Sequence, residues 1–270
     1  AYRSGVVVNG THAVRLLGHA TSAGVTSFAG GEIAGYLDSG TTPKQAVVDD
    51  AEELASGLVA YDFTLKPGAT KAFGWTYALN GQSSAGPRTV LAAEELRKRT
   101  VRHWREALGG VAIELPAKEQ RLIDLVKTNI AYVLLNRDGD KIQPGSRNYA
   151  RSWIRDGSLM AAALMHFGRN EEARRYIDFY AKYVRDDGYV PCIVDHRGAD
   201  MTAEHDSHGE FIFLVAEYLR FTRDRSFVER HYDVVKRVAG YLERVIGESE
   251  AAGGSFAGLM LPSISHEGYG

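Results

Sequence analysis

Beyond residue 116, apolar residues recur every three or four positions, but in two different styles. Three stretches carry one apolar stripe and a charged back, the pattern of a helix buried on a single side. The first, Lys118 to Leu135, places Leu122, Ile123, Val126, Ile130 and Val133 together. The second, Asn170 to Val184, lines up Ala173, Tyr176, Ile177, Tyr180, Ala181 and Val184, turns Glu171, Arg174, Arg175, Asp178 and Lys182 outward, and offers Asn170 as N-cap. The third opens with a capping box, Ser226 with Glu229, and repeats Val228, Tyr232, Val235, Val238, Leu242 and Val245. Between these lie two stretches that are apolar on more than one side, Ile154 to His166 and Gly209 to Phe221. Such helices have to be covered from two directions.

An inner ring of helices enclosed by an outer ring meets that need, whereas a four-helix bundle would leave every helix one-sided. The alternation therefore predicts part of an α/α toroid with Ile154 to His166 and Gly209 to Phe221 as inner helices. Connection lengths agree. Phe167-Gly168-Arg169 is a tight turn, while the segments feeding the inner helices, 136–152 and 186–208, are long and rich in charge and glycine. Long polar loops are where function tends to sit. Both end at the start of an inner helix, hence on one rim. Five helices do not close a ring, so the remainder is expected beyond Gly270.

Residues 1–99 read as β structure, in short runs separated by glycine and asparagine: Val6-Val7-Val8, Val25 to Phe28, Leu58 to Leu65 and Ala72 to Leu79. The last two are joined by Lys66-Pro67-Gly68-Ala69-Thr70, good turn chemistry, and read as neighbouring antiparallel strands. Val90 to Leu108 then reads as a charged amphipathic helix. The expected organisation is an N-terminal antiparallel β-sandwich over 1–89, a helical linker over 90–115 and the first half of a toroid over 116–270.

Composition narrows the partners. With 24% charged residues and a formal net charge of -2 over 270 residues, the concentrated basic face that nucleic acid or anionic membrane requires is missing. The longest apolar runs fall far short of the ~20 residues that cross a bilayer. The chain opens at Ala1 without a basic-apolar signal segment, which reads as processing or excision from something longer. A lone cysteine, Cys192, allows no intrachain disulfide and no CxxC metal site and leaves the compartment undecided, a secreted or periplasmic location being slightly favoured over a cytoplasmic one.

Candidate chemistry collects on the expected rim. The first loop brings Arg147, Arg151, Trp153, Arg155 and Asp156; the second brings Asp195, His196, Arg197, Asp200, Glu204, His205, Asp206, His208 and Glu210. An aromatic beside paired arginine and aspartate suits a sugar, whose C–H faces stack on the ring while charged groups take its hydroxyls. Converging carboxylates suit glycoside cleavage, where one protonates the leaving oxygen and another activates water. Duller readings hold elsewhere. His205 and His208 with Asp206 and Glu210 match no HExxH helix, Asp138-Gly139-Asp140 lacks the later ligands of a calcium loop, and no GxSxG elbow occurs. Neither a metal nor a cofactor is expected.

Three stretches resemble the six-hairpin glycosidases, the superfamily of glucoamylase-like and trehalase-like (α/α)6 barrels. They are Arg151-Ser152-Trp153-Ile154-Arg155-Asp156-Gly157, Glu204-His205-Asp206-Ser207-His208-Gly209-Glu210-Phe211, and Pro262-Ser263-Ile264-Ser265-His266-Glu267-Gly268-Tyr269. The similarity is nearest to an uncharacterised bacterial branch. It implies that Trp153, Arg155 and Asp156 bind sugar at the cleavage subsite. It also places Glu267, between the fifth and sixth helices, where that family carries its general acid, although the neighbours of Glu267 differ from the glucoamylase pattern. The family's catalytic base comes near the end of the barrel, past the last residue here.

The function that the resemblance implies is an inverting, exo-acting glycoside hydrolase on an oligo- or polysaccharide, with this chain expected to be inactive alone. On that resemblance Glu267 is expected to be the catalytic acid, and Trp153, Arg155, Asp156, Arg151, Asp206 and His208 are expected to bind substrate. Two alternatives stand beside it: a polysaccharide lyase on the same toroid, using Arg151, His205 and Tyr149, and a non-catalytic glycan-binding helical repeat.

Overall fold

Asn9 and Gly10, at φ 50° and 68°, turn the chain through the left-handed region that asparagine and glycine tolerate best. The turn folds β1 (Gly5–Val8) back on β2 (His12–Leu16), with Val6 opposite Val14. A computed structural model describes residues 4–10, 12–78 and 89–264, and the chain divides into two units, 1–103 and 104–270. In the first unit, β3 (Ser22–Thr26) pairs with β4 (Ser56–Ala60) as a second antiparallel sheet, with α1 (Ile33–Asp38) between them in sequence. Gly24 of β3 has to be glycine, because a Cβ there would lie 1.7 Å from the Pro43 carbonyl oxygen.

The strand runs were legible, but one pairing is corrected. The runs from Leu58 and Ala72 do not form a hairpin ladder: β4 pairs with β3, and β5 (Trp75–Tyr77) pairs with the free edge of β2. The two runs meet through side chains instead, Phe73 packing on Tyr61 at 4.5 Å and on Phe63 at 5.2 Å, with Lys71 over both phenylalanine rings. The missed partner, β2, follows the Asn9-Gly10 turn, and that dipeptide is its sequence signal. Leu79 lies outside the described residues. The fold class is thus mixed helix and small antiparallel sheets.

The expected linker helix is present as α2 (Val90–Ala107) and buries none of its residues. The second unit is built on α3 (Gln120–Asn136), α4 (Ile154–His166), α5 (Asn170–Tyr180), α6 (Asp206–Thr222) and α7 (Arg225–Ala252). Side-chain pairs fix their directions. Arg155 meets Asp206, Ser158 meets Glu210 and His166 meets Phe221, so α4 and α6 run parallel. Arg174 sits over Phe227 and Asp178 bonds His231, so α5 and α7 also run parallel. Tyr218 against Phe227 and His208 against Tyr241 make α6 and α7 antiparallel. Two helical hairpins therefore stack as two layers, α4 and α6 in one, α5 and α7 in the other.

Between the layers lies a core of Ile154, Ala161, Leu164, Tyr176, Ile177, Tyr180, Phe211, Leu214, Phe227 and Val238, each fully buried. The turn from α4 to α5 closes as a Schellman motif: Gly168, at φ 71°, donates to Met165 and Arg169 to Leu164. On their other side α4 and α6 remain open among the described residues, with Leu159 57% and Phe213 37% exposed. The two-sided apolar pattern is therefore satisfied on one side only. In α3, Ile123 and Ile130 are buried, but Leu122 and Val126 face solvent, contrary to the expected stripe.

Two caps also differ. Arg169 rather than Asn170 occupies the N-cap of α5, and Asp224 rather than Ser226 caps α7, accepting from the Phe227 N–H at 3.0 Å. The carboxylate is the stronger acceptor, and Ser226 donates to it. No helix among the described residues is long and apolar enough to cross a membrane.

Candidate functional site

The loop expected between α5 and α6 contains a hairpin, β7 (Ile193–Asp195) and β8 (Gly198–Asp200), which joins β6 (Ser152–Trp153) in a three-stranded sheet. Ser152 pairs with Val194 and Trp153 with Ile193, and the Ile154 N–H continues the contact by donating to the Cys192 carbonyl. This sheet fixes the chain at the entry to α4. Its sequence signal is the β-branched pair Ile193-Val194 ahead of a turn ending in Gly198, at φ 114°, inside what otherwise reads as a polar loop.

On that sheet Arg151 donates from Nε to Asp195 at 2.9 Å and from Nη2 to Asp200 at 3.2 Å, and its guanidinium lies 5.3 Å from the centre of the Trp153 ring. Arg197 reaches Asp195 as well, at 2.7 Å. Its hydrogen bonds, with that of Arg151, hold the Asp195 carboxyl well below the usual carboxylate range despite burial. For Asp200 burial pushes upward, but the Thr202 backbone N–H and Arg151 outweigh it and the net shift is downward.

One turn further on, the parallel course of α4 and α6 joins two of the expected residues. Arg155, in the first turn of α4, spans Asp206 in the first turn of α6 and the carboxylate of Glu204, 2.9 Å away and 2% exposed. Asp156, half-buried, follows it on the same turn. Below them the Ser158 hydroxyl bonds the Glu210 carboxylate. Asp206 stays 42% exposed at the side chain, so its charge faces solvent as well as Arg155. The α4 N-terminus adds a positive dipole end beside these carboxylates.

The remaining expected residues are placed differently. Trp153 is 9% exposed and packs on Cys192 and Ile193, so its indole supports the site more than it lines it. His208 is buried and both ring nitrogens are engaged: Nε2 accepts from the Val190 N–H at 3.2 Å, and Nδ1 faces the His205 carbonyl at 3.1 Å. Its ring stacks on Tyr241 at 4.5 Å. His208 is expected to bind substrate; in the structure it is buried and its ring nitrogens face protein groups. Glu267 lies outside the described residues, as does His266. The Cys192 thiol is pushed up to about 12 by burial, which fits a packed thiol. Among the described residues no three His, Cys, Asp or Glu are arranged to hold a metal ion.

Burial drives the His208 pKa down to about 4 from an ordinary 6.5. The unfolded chain therefore binds the extra proton between those values. His208 contributes stability fully above pH 6.5 and loses it as pH falls toward 4, by about 3 kcal/mol at most. Urea unfolding at pH 7.5 and pH 5 is expected to show this loss, and His208→Gln, though weaker overall, to show a flatter pH slope. An equal slope in the variant would assign the acid sensitivity elsewhere.

These geometries sit on a helical unit that is similar to glycoside hydrolases. Residues 121–247 match the family described as amylo-alpha-1,6-glucosidase, a stretch that contains Arg151, Arg155, Asp156, Glu204 and Asp206. The chain is 25% identical over 162 residues to an uncharacterized glycosyl hydrolase of Methanocaldococcus jannaschii, covering 57% of this chain and 26% of that protein. It thus spans about a quarter of the length of that relative. No solved structure matches it. The resemblance to glycosidases carried by the first two motifs is borne out at the level of the superfamily.

Proposed function

We propose that this chain is part of an inverting, exo-acting glycoside hydrolase whose sugar site lies where the N-terminal ends of α4 and α6 meet. The observation that carries the proposal is the parallel pairing that brings Arg155 and Asp206 into contact, with Asp156 on the same turn. Arg155 is held between Glu204 and Asp206 and so fixes the angle of the Asp206 carboxylate. Asp156 and Asp206 then accept hydrogen bonds from hydroxyls of the terminal sugar. His208 and Trp153 hold the wall from within. Glu267 gives its proton to the glycosidic oxygen as the C–O bond breaks, and a water on the opposite face of the ring bonds to the anomeric carbon while a second carboxylate, the base, takes its proton. The acid and that base would stand about 6.5–9.5 Å apart. In this reading the β strands of 1–89 belong to a sandwich, and the open flank of α4 and α6 faces the rest of a toroid.

The matched family's description directs the substrate toward glucosyl units in α-1,6 linkage. Panose, a trisaccharide with one α-1,6 and one α-1,4 bond, is a suitable probe. In the full-length protein, Asp206→Asn and Asp156→Asn are each expected to weaken panose about tenfold or more, since a hydroxyl bonded to a carboxylate is lost. Titration calorimetry in a Glu267→Gln background reads the affinity; unchanged binding in both variants would remove the site from this position. The lyase alternative is less well supported, because Arg151, its cation for a uronate, is committed to Asp195 and Asp200.

A further inference from the structure

Tyr176 belongs to the outer layer, yet its hydroxyl ends inside the first turn of α4. It donates to the Trp153 carbonyl at 3.1 Å and lies 3.3 Å from the Ser152 hydroxyl, which itself bonds the Ile142 carbonyl at 2.9 Å. The ring is fully buried, flanked by Tyr180 at 5.6 Å and Phe179 at 6.3 Å, so it has no room to swing. Opposite it the chain provides Gly157, where a Cβ would stand 1.9 Å from the hydroxyl oxygen. A tyrosine that only filled the core would be served by phenylalanine and would not need a glycine facing its polar end. Here the polar end is bonded to Trp153, the N-cap of α4, two positions before Arg155 and three before Asp156.

We infer that Tyr176 is a positioning residue for the sugar-binding turn, fixing through the Trp153 carbonyl the direction in which Arg155 and Asp156 leave the helix start. The inference rests on the proposed sugar site. It assigns to an outer-layer side chain control over how well that site grips its ligand. Burial also raises the Tyr176 hydroxyl far above its ordinary range, so the group stays a neutral donor at every working pH.

The test compares Tyr176→Phe with Tyr218→Phe in the full-length protein. Tyr218 is also buried, but it packs on Phe227 toward the opposite end of α6. Tyr176→Phe is expected to raise KM for panose about fivefold while kcat changes less than about twofold, the effect of one misplaced hydrogen-bonding turn. Hydrogen exchange over residues 150–158 should quicken about tenfold, as a turn loses its tether. Tyr218→Phe should do neither, even where its melting temperature falls as much. An unchanged KM in Tyr176→Phe, or an equal rise in Tyr218→Phe, overturns the inference. If the unaltered protein neither binds nor cleaves panose, the sugar reading fails first, and exchange alone decides: unchanged protection over 150–158 then overturns the role of Tyr176.

Discussion

Replacing Glu267 by glutamine in the full-length protein is expected to lower kcat on panose about 100- to 10,000-fold, the usual contribution of a positioned general acid. KM should move little, because glutamine keeps the size and hydrogen-bonding outline of the side chain and the lost proton matters only as the bond breaks. The substrate dependence makes the prediction specific. An aryl glucoside with a good leaving group needs less protonation, so p-nitrophenyl α-glucoside should lose far less rate than panose. Equal losses on both substrates would mark Glu267 as a binding or structural residue, and undiminished turnover would remove it from the reaction. The residue enters through its place after the fifth helix in the Pro262 to Tyr269 motif, so kinetics decide its role.

The second large effect concerns stability. Gly157→Ala would set a methyl group 1.9 Å from the Tyr176 oxygen and 2.3 Å from the ring carbon that bears it. Overpacking of that kind costs about 1–3 kcal/mol. Pushing the hydroxyl off the Trp153 carbonyl adds about 1–3 kcal/mol for a buried polar group left unpaired. Against this, alanine gains about 1 kcal/mol over glycine in a helix. The net loss is about 3 kcal/mol, a fall in melting temperature of about 6–12 °C for a unit of this size. Gly209→Ala provides the contrast, since it too lies in the first turn of a helix but has nothing within 4 Å of the place its methyl group would take. There the helix gain should stand alone, with stability unchanged or slightly raised. Similar losses at both positions would mean that the close approach of Tyr176 is not what fixes Gly157.

The helices and the core-facing stripe of α5 were legible because a 3.6-residue period survives in single side chains: Tyr176, Ile177 and Tyr180 face the core as their spacing requires, whereas the second covered side expected of α4 and α6 is open among the described residues. That the segments carrying Arg155 and Asp206 end side by side was legible from two apolar helices entered by long loops; the ion pair between them was not. The hairpin of Ile193 to Asp200 was not, since three-residue strands are too short to show alternation. His208 was misplaced for a related reason. Sequence gives a histidine next to charged neighbours, but only the Val190 N–H and the Tyr241 ring show that both its edges are used. Nor does a stripe residue such as Tyr176 announce where its hydroxyl ends. At Leu122 and Val126 the period promised burial that no described element supplies.

That the meeting ends of α4 and α6 hold a sugar is tested most directly by a crystal structure of the full-length protein carrying Glu267→Gln, grown with panose. A glucosyl ring whose hydroxyls lie within hydrogen-bond distance of the Asp156 and Asp206 carboxylates is the expected result. Panose bound on another surface, with those two carboxylates making only protein contacts, would contradict it.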